Sequence, residues 1–116
     1  MRKPYTESNP LLQDSTFYIL LSLLDGPKHG YAIMKDVRVI SEQRVVLSAG
    51  TLYGALKRLL DLGWVERTTP PVIEENERDR KEYQLTEVGR KMLEMEVARH
   101  RKMVAVADLR LSEVKP

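Results

Sequence analysis

The stretch Ser48-Ala49-Gly50-Thr51-Leu52-Tyr53-Gly54-Ala55-Leu56-Lys57-Arg58-Leu59-Leu60-Asp61-Leu62-Gly63 decides how the rest of the chain is read. A serine ahead of a helix caps a free backbone amide with its hydroxyl, and a glycine behind it accepts the left-handed turn that stops a helix. The stretch therefore predicts a helix running from its Ser48 cap to about Leu62. At about 100° per residue it divides into two arcs. Leu52, Ala55, Leu56, Leu59 and Leu60 form one, with Ala49 at its edge, and this is the expected core face. Gly50, Thr51, Tyr53, Gly54, Lys57, Arg58 and Asp61 form the other. That second arc carries chemistry suited to a nucleic-acid duplex. Lys57 and Arg58 can neutralise phosphates, and an arginine can take a guanine edge with two hydrogen bonds. Ser48 and Thr51 occupy the first turn, the part of a recognition helix that reaches the bases, and Tyr53 offers a phenol. Gly54 within an exposed face costs about 1 kcal/mol relative to alanine, and close approach of the helix backbone to a groove would repay it. An ordinary amphipathic surface helix shows the same division, so periodicity alone leaves both readings open.

Working outward, two helices are expected before this one. The first spans Leu11 to Leu24 and stops at Asp25-Gly26-Pro27. Phe17, Ile19, Leu20, Leu21, Leu23 and Leu24 leave it almost no polar face, so it needs cover on more than one side, and in a short chain the second cover can come from another subunit. The second runs from about Gly30 to Ile40 with Ile33, Val37 and Ile40 as its apolar stripe and Met34 beside them. Ser41 to Arg44 reads as a loop and Val45-Val46-Leu47 as a short extended run. Behind the central helix, Trp64 to Thr68 reads as a strand, Pro70 to Arg80 as a loop, and Lys81 to Leu85 as the returning strand. Thr86 then caps a long helix reaching about Leu111, with Glu87 at its positive end. The expected organisation is an irregular arm over 1–10, a winged helix-turn-helix over 11–85, a C-terminal helix over 86–111 and a tail over 112–116. The fold class is mainly α with a small β-hairpin.

Composition fits one globular domain: 116 residues, 42% hydrophobic and 31% charged. The net charge of +2 is too small to argue for nucleic-acid binding, so that case rests on local patterning. With no cysteine, thiolate metal sites and cysteine nucleophiles are excluded. The two histidines, His29 and His100, share no ligand spacing, which argues against a metal site. No catalytic constellation or phosphate-cradling glycine loop appears, so no enzyme and no cofactor are expected. The apolar run Phe17 to Leu24 is far below the roughly 20 residues that span a bilayer, and the expected location is the cytoplasm.

Two further places offer groups for a duplex. Lys28, His29 and Tyr31 stand at the start of the second helix, where free amides can hold a phosphate. Tyr31 is equally readable as a core residue with its hydroxyl satisfied nearby. In the loop between the strands, Arg78, Arg80 and Lys81 can reach a minor groove or backbone. Yet Glu74 to Glu82 holds three cations against five anions, so only the base of this wing suits phosphate and the acidic tip points away. A solvated charge run is the competing reading. The last helix carries one stripe of Met92, Met95, Met103 and Val106 and another of Leu93, Val97 and Val104, which suits packing both on its own domain and on a partner. With the all-apolar first helix it forms the expected dimer interface, through Phe17, Leu20, Leu21, Leu24, Met92, Met95, Arg99, Met103 and Val106. The charged residues Glu94, Glu96, Arg99, Arg101 and Lys102 either pair across subunits or are solvated. The methionines either line an adaptable apolar cavity or pack as core.

Four blocks then carry a resemblance: His29-Gly30-Tyr31-Ala32-Ile33, Leu47 to Leu59, Gly63-Trp64-Val65-Glu66, and Tyr83-Gln84-Leu85-Thr86-Glu87-Val88-Gly89. In combination they resemble the PadR family of transcriptional regulators, over roughly Leu11 to Leu111. The resemblance implies a winged-helix domain, a homodimer built largely from the last helix, repression of nearby genes, and release from double-stranded DNA when a small molecule binds or conditions change. The length is similar to that of the short branch of the family, with a single C-terminal helix. Some members stack flat aromatic compounds between subunits. In this chain no aromatic residue follows Tyr83, so the last helix supplies no such sandwich. The alternative of a different class is a winged helix that binds only protein.

Overall fold

A computed structural model describes residues 13–68 and 81–114. In chain order they form α1 (Asp14–Ser22), β1 (Lys28–His29), α2 (Gly30–Ile40), α3 (Ala49–Leu62), β2 (Val65–Thr68), β3 (Glu82–Leu85) and α4 (Glu87–Glu113). The strands make one antiparallel sheet in the order β1-β3-β2. Val65 pairs with Leu85 and Thr68 with Glu82, so β2 and β3 form the expected hairpin. On the other edge, Lys28 pairs with Tyr83 and His29 with Glu82. This third strand was not expected. Two residues are too few to show alternation, and only the long-range partner makes them a strand.

Helix limits follow from capping chemistry. The Ser48 hydroxyl accepts a hydrogen bond from the Thr51 amide at 3.1 Å, and α3 begins where the cap places it. At its other end Gly63 takes φ 78°, its amide donates to the Leu60 carbonyl, and the Trp64 amide donates to Leu59. That pair of bonds is a Schellman motif, and Leu59 and Trp64, its two apolar partners, are both buried. The first helix is shorter at its C-terminal end than expected. Leu23, Leu24 and Gly26 make bonds of the i to i−3 kind to Leu20, Leu21 and Leu23, so the chain tightens into a turn. Leu11, Leu12 and the arm over 1–10 lie outside the described residues. At the far end of the chain, α4 runs two residues past the expected Leu111.

The core is one cluster. Ile19, Leu20 and Leu23 of α1 meet Ile33 and Val37 of α2, Leu52, Ala55, Leu56 and Leu59 of α3, Trp64 and Val65 before and within β2, Tyr83 of β3 and Leu93 of α4. Ile40, expected on the apolar stripe of α2, is exposed, because the helix ends there and the chain leaves through Ser41. Between α2 and α3, Glu42 and Gln43 take φ 55° and 68°. The Ser41 hydroxyl stabilises this bend by accepting from the Val45 amide at 3.0 Å.

The second cover of α1 comes from within the chain. α1 packs on both α2 and α4, and the Phe17 ring lies 5.5 Å from that of His100 on α4. Leu20, expected to face a partner subunit, is fully buried in its own core. That expectation is corrected by the packing of α4 across α1. Leu21 and Phe17 are half-buried and Leu24 is exposed.

Candidate nucleic-acid interface

The two arcs of α3 separate as periodicity requires. Leu52, Ala55, Leu56 and Leu59 are buried and Leu60 is half-buried, whereas Ala49 is exposed. Gly50, Thr51, Tyr53, Gly54, Lys57, Arg58 and Asp61 are all exposed. At the first turn the Ser48 hydroxyl donates to the Thr51 hydroxyl at 3.0 Å, so the two present a joined polar edge. Lys57 reaches Asp61 only at 4.0 Å, with both side chains at least 72% exposed. Such a solvated pair contributes little and leaves the ammonium available to another anion. A Cβ placed on Gly54 would meet nothing within 4 Å. The fold itself therefore gives no packing reason for this glycine.

Tyr53 has a second duty that the sequence did not reveal. A Cβ on Gly30 would overlap the Tyr53 phenol oxygen, so the ring lies across the N-terminus of α2 and needs a glycine beneath it. The neighbouring Tyr83 phenol is held above the ordinary tyrosine range, first by burial and then by the proximity of Tyr53. Tyr53 thus joins α3 to α2 and the sheet while remaining 48% exposed. The His29-Gly30 pair in the sequence was the available signal, although nothing in it points to position 53.

The entrance of α2 is arranged differently from expectation. Tyr31 is 67% exposed, which overturns its reading as a core residue, and Lys35 lies 5.6 Å from its ring centroid. Lys28 forms an ion pair with Asp25 inside the preceding turn, and its side chain is 19% exposed. Asp25 is held below the usual carboxylate range by that hydrogen bond and charge. The Lys28 ammonium is therefore turned toward its own turn. His29 lies at the α2 N-terminus with Nε2 3.6 Å from Glu82, and its buried Nδ1 has no partner among the described residues. Lys81 is exposed beside β3. Arg78 and Arg80 lie outside the described residues.

On α4, the expected dimer residues fall into two groups. Met92 is half-buried against the core, in keeping with core packing, while Met95, Met103 and Val106 are exposed, which corrects the reading of Met95 and Met103 as core residues of their own chain. Glu96 is neither solvated nor free to reach a partner. It is buried, and its carboxylate accepts from Arg99 Nε at 3.0 Å and Nη2 at 2.5 Å. These bonds hold Glu96 below the ordinary carboxylate range against the upward push of burial, and they hold Arg99 above its own. Arg99, expected at the interface, is thus bound first within its own helix.

Among the described residues no group of three or more His, Cys, Asp or Glu side chains is placed to hold a metal. None of their helices is long and apolar enough to cross a membrane.

A three-helix domain with a strand-paired wing base and one long following helix is a winged helix-turn-helix. The model of the transcriptional regulator PadR-like family matches residues 19–95, and the chain belongs to that family. Among solved structures it is similar to a PadR family transcription regulator from Clostridium difficile, with a TM-score of 0.68 and 24% identity over 85% of this chain and 99% of that one. It is also similar to Bacillus subtilis PadR in complex with operator DNA, with a TM-score of 0.55 and 25% identity over 73% of this chain and 46% of that one. An uncharacterised protein in a Streptomyces fradiae transposon is 41% identical over 83 residues, which are 72% of this chain and 22% of that protein. The chain thus spans about a fifth of that curated relative.

Proposed function

We propose that this protein is a transcriptional repressor that binds double-stranded DNA as a homodimer, laying α3 of each subunit in a major groove. The observation that carries the reading is the exposed arc of α3, capped at Ser48 and carrying Thr51, Tyr53, Gly54, Lys57 and Arg58 on one side of a leucine-based core face. Its role is to read an operator, with Arg58 and Lys57 supplying charge and Ser48 and Thr51 the polar first turn. Tyr31, Lys81, Arg78 and Arg80 supply flanking contacts, and Lys28 would have to leave Asp25 to join them.

The homodimer rests on α4. Leu93, Glu96, Val97 and His100 turn toward the body of the chain, and at 100° per residue the same stripe continues as Val104, Ala107 and Leu111. From Arg101 to Val114 every residue is exposed. A core-facing stripe that outruns its own core needs a second subunit, and Met95, Met103 and Val106 extend the surface to be covered. A groove of about 240 Å³ between α1 and α4, lined by Leu21, Leu24, Arg90, Leu93, Val97 and Arg101 among others, is the place we assign to a releasing small molecule. No cofactor is required, and the protein acts in the cytoplasm.

Two bound recognition helices of a dimer enter successive major grooves about 34 Å apart, so the operator is an inverted repeat. Selection of bound fragments from random DNA, followed by footprinting, tests this. The expected result is two inverted half-sites protected one helical turn apart. Recovery of no DNA even at low salt would favour a winged helix that binds only protein.

A further inference from the structure

The start of α4 is joined to the end of α3 by an unusually close contact. Thr86 donates its backbone amide to the Trp64 carbonyl at 3.0 Å and its hydroxyl to the Gly63 carbonyl at 2.7 Å. The same hydroxyl accepts from the Gly89 amide at 3.0 Å, which caps α4. A Cβ on Gly89 would overlap the Trp64 carbonyl oxygen and stand 3.0 Å from Leu85 Cδ1. The first turn of α4 is thus pressed against the peptide that closes the Schellman motif of α3. Gly63 and Thr86 are far apart in sequence, so the joint is made by tertiary structure alone.

We propose that this joint is the positioning element that sets the distance between the two recognition helices of the dimer, and with it the half-site separation the protein accepts. This rests on the reading of the protein as a DNA-binding homodimer. α4 is the proposed dimer element and α3 the proposed reading element, so the angle between them fixes where each α3 lies relative to the two-fold axis. A helix of 14 residues is about 21 Å long, so a tilt of about 10° at its Gly63 end moves its N-terminus by roughly 4 Å. That displacement is about one base-pair step. Two hydrogen bonds across the joint and a methyl-free contact at one end of the lever are suited to hold it within this tolerance.

Substitution of Thr86 separates the joint from the helix cap. In Thr86→Asp the carboxylate still accepts from the Gly89 amide and suits a helix N-terminus, yet it cannot donate to the Gly63 carbonyl. Thr86→Ser keeps both bonds. Selection from random DNA with the full chain, and the oligomeric state measured in parallel, tests the proposal. Wild type and Thr86→Ser should enrich one centre-to-centre separation. Thr86→Asp should remain dimeric and select the same half-site sequence, with a separation shifted or spread by at least one base pair and about tenfold weaker preference for the wild-type spacing. A Thr86→Asp dimer that selects the wild-type separation as sharply as wild type overturns the proposal. Wild type that selects no DNA overturns the functional reading beneath it. Unfolded Thr86→Asp beside folded Thr86→Ser would mean that the bond serves stability alone, which also overturns it.

Discussion

Gly54 and Gly89 both lie within helices, and a methyl group added to each meets opposite surroundings. At Gly54 it meets nothing within 4 Å, so Gly54→Ala should raise stability by about 0.5–1 kcal/mol through lower backbone entropy in the unfolded chain. If the glycine serves close approach to a groove, the same variant should bind DNA more weakly, and unchanged affinity would remove that role. At Gly89 the methyl meets a backbone carbonyl that cannot step aside, and Gly89→Ala should cost about 2–3 kcal/mol or more. Urea unfolding of both variants reads both signs. Glu96 makes a third prediction at this scale. Its carboxyl is depressed chiefly by hydrogen bonds from Arg99. A depressed carboxyl contributes stability that is complete above its ordinary value and lost as pH falls through the folded one. The unfolding midpoint should therefore drop on acidification below about pH 4.5, and more steeply in wild type than in Glu96→Gln.

Local rules set the limits of the elements that have local signals. Ser48, Gly63 and Thr86 each begin or end a helix through a bond to a residue a few positions away, so the limits of α3 and the start of α4 were readable. The elements and contacts that were missed depend on distant partners. β1 is a strand because β3 lies beside it, and the ring of Tyr53 is placed by Gly30. Leu20 looked like a dimer residue because an all-apolar helix needs two covers, and sequence does not say that α4 of the same chain is one of them. Glu96 looked solvated because a charge on a long helix usually is. The exposed half of α4 makes the prediction at this scale. Val104→Glu with Leu111→Glu, both on residues that touch nothing in the single chain's core, should leave the fold intact and convert the dimer to a monomer in sedimentation velocity. A double variant that sediments as wild type would place the interface elsewhere.

For the whole molecule, the modest net charge of +2 sets the terms of binding. Long-range attraction to a duplex is weak at that charge, so in the proposed homodimer affinity would rest on a few well-placed cations used twice, once per subunit. We assign that role to Lys57 and Arg58, on a helix held from one side by the core, at one end by Tyr53 on Gly30, and at the other by the joint to α4. The most direct measurement is the dissociation constant for DNA from the protein's own upstream region, taken across roughly 50–200 mM salt. The logarithm of affinity should fall linearly with the logarithm of salt concentration. Lys57→Ala and Arg58→Ala should each weaken binding, and Lys57→Ala should make the slope shallower by about two ions per dimer. Binding absent at low salt, or a slope unchanged by both substitutions, would contradict the assignment of this helix as the part of the protein that grips DNA.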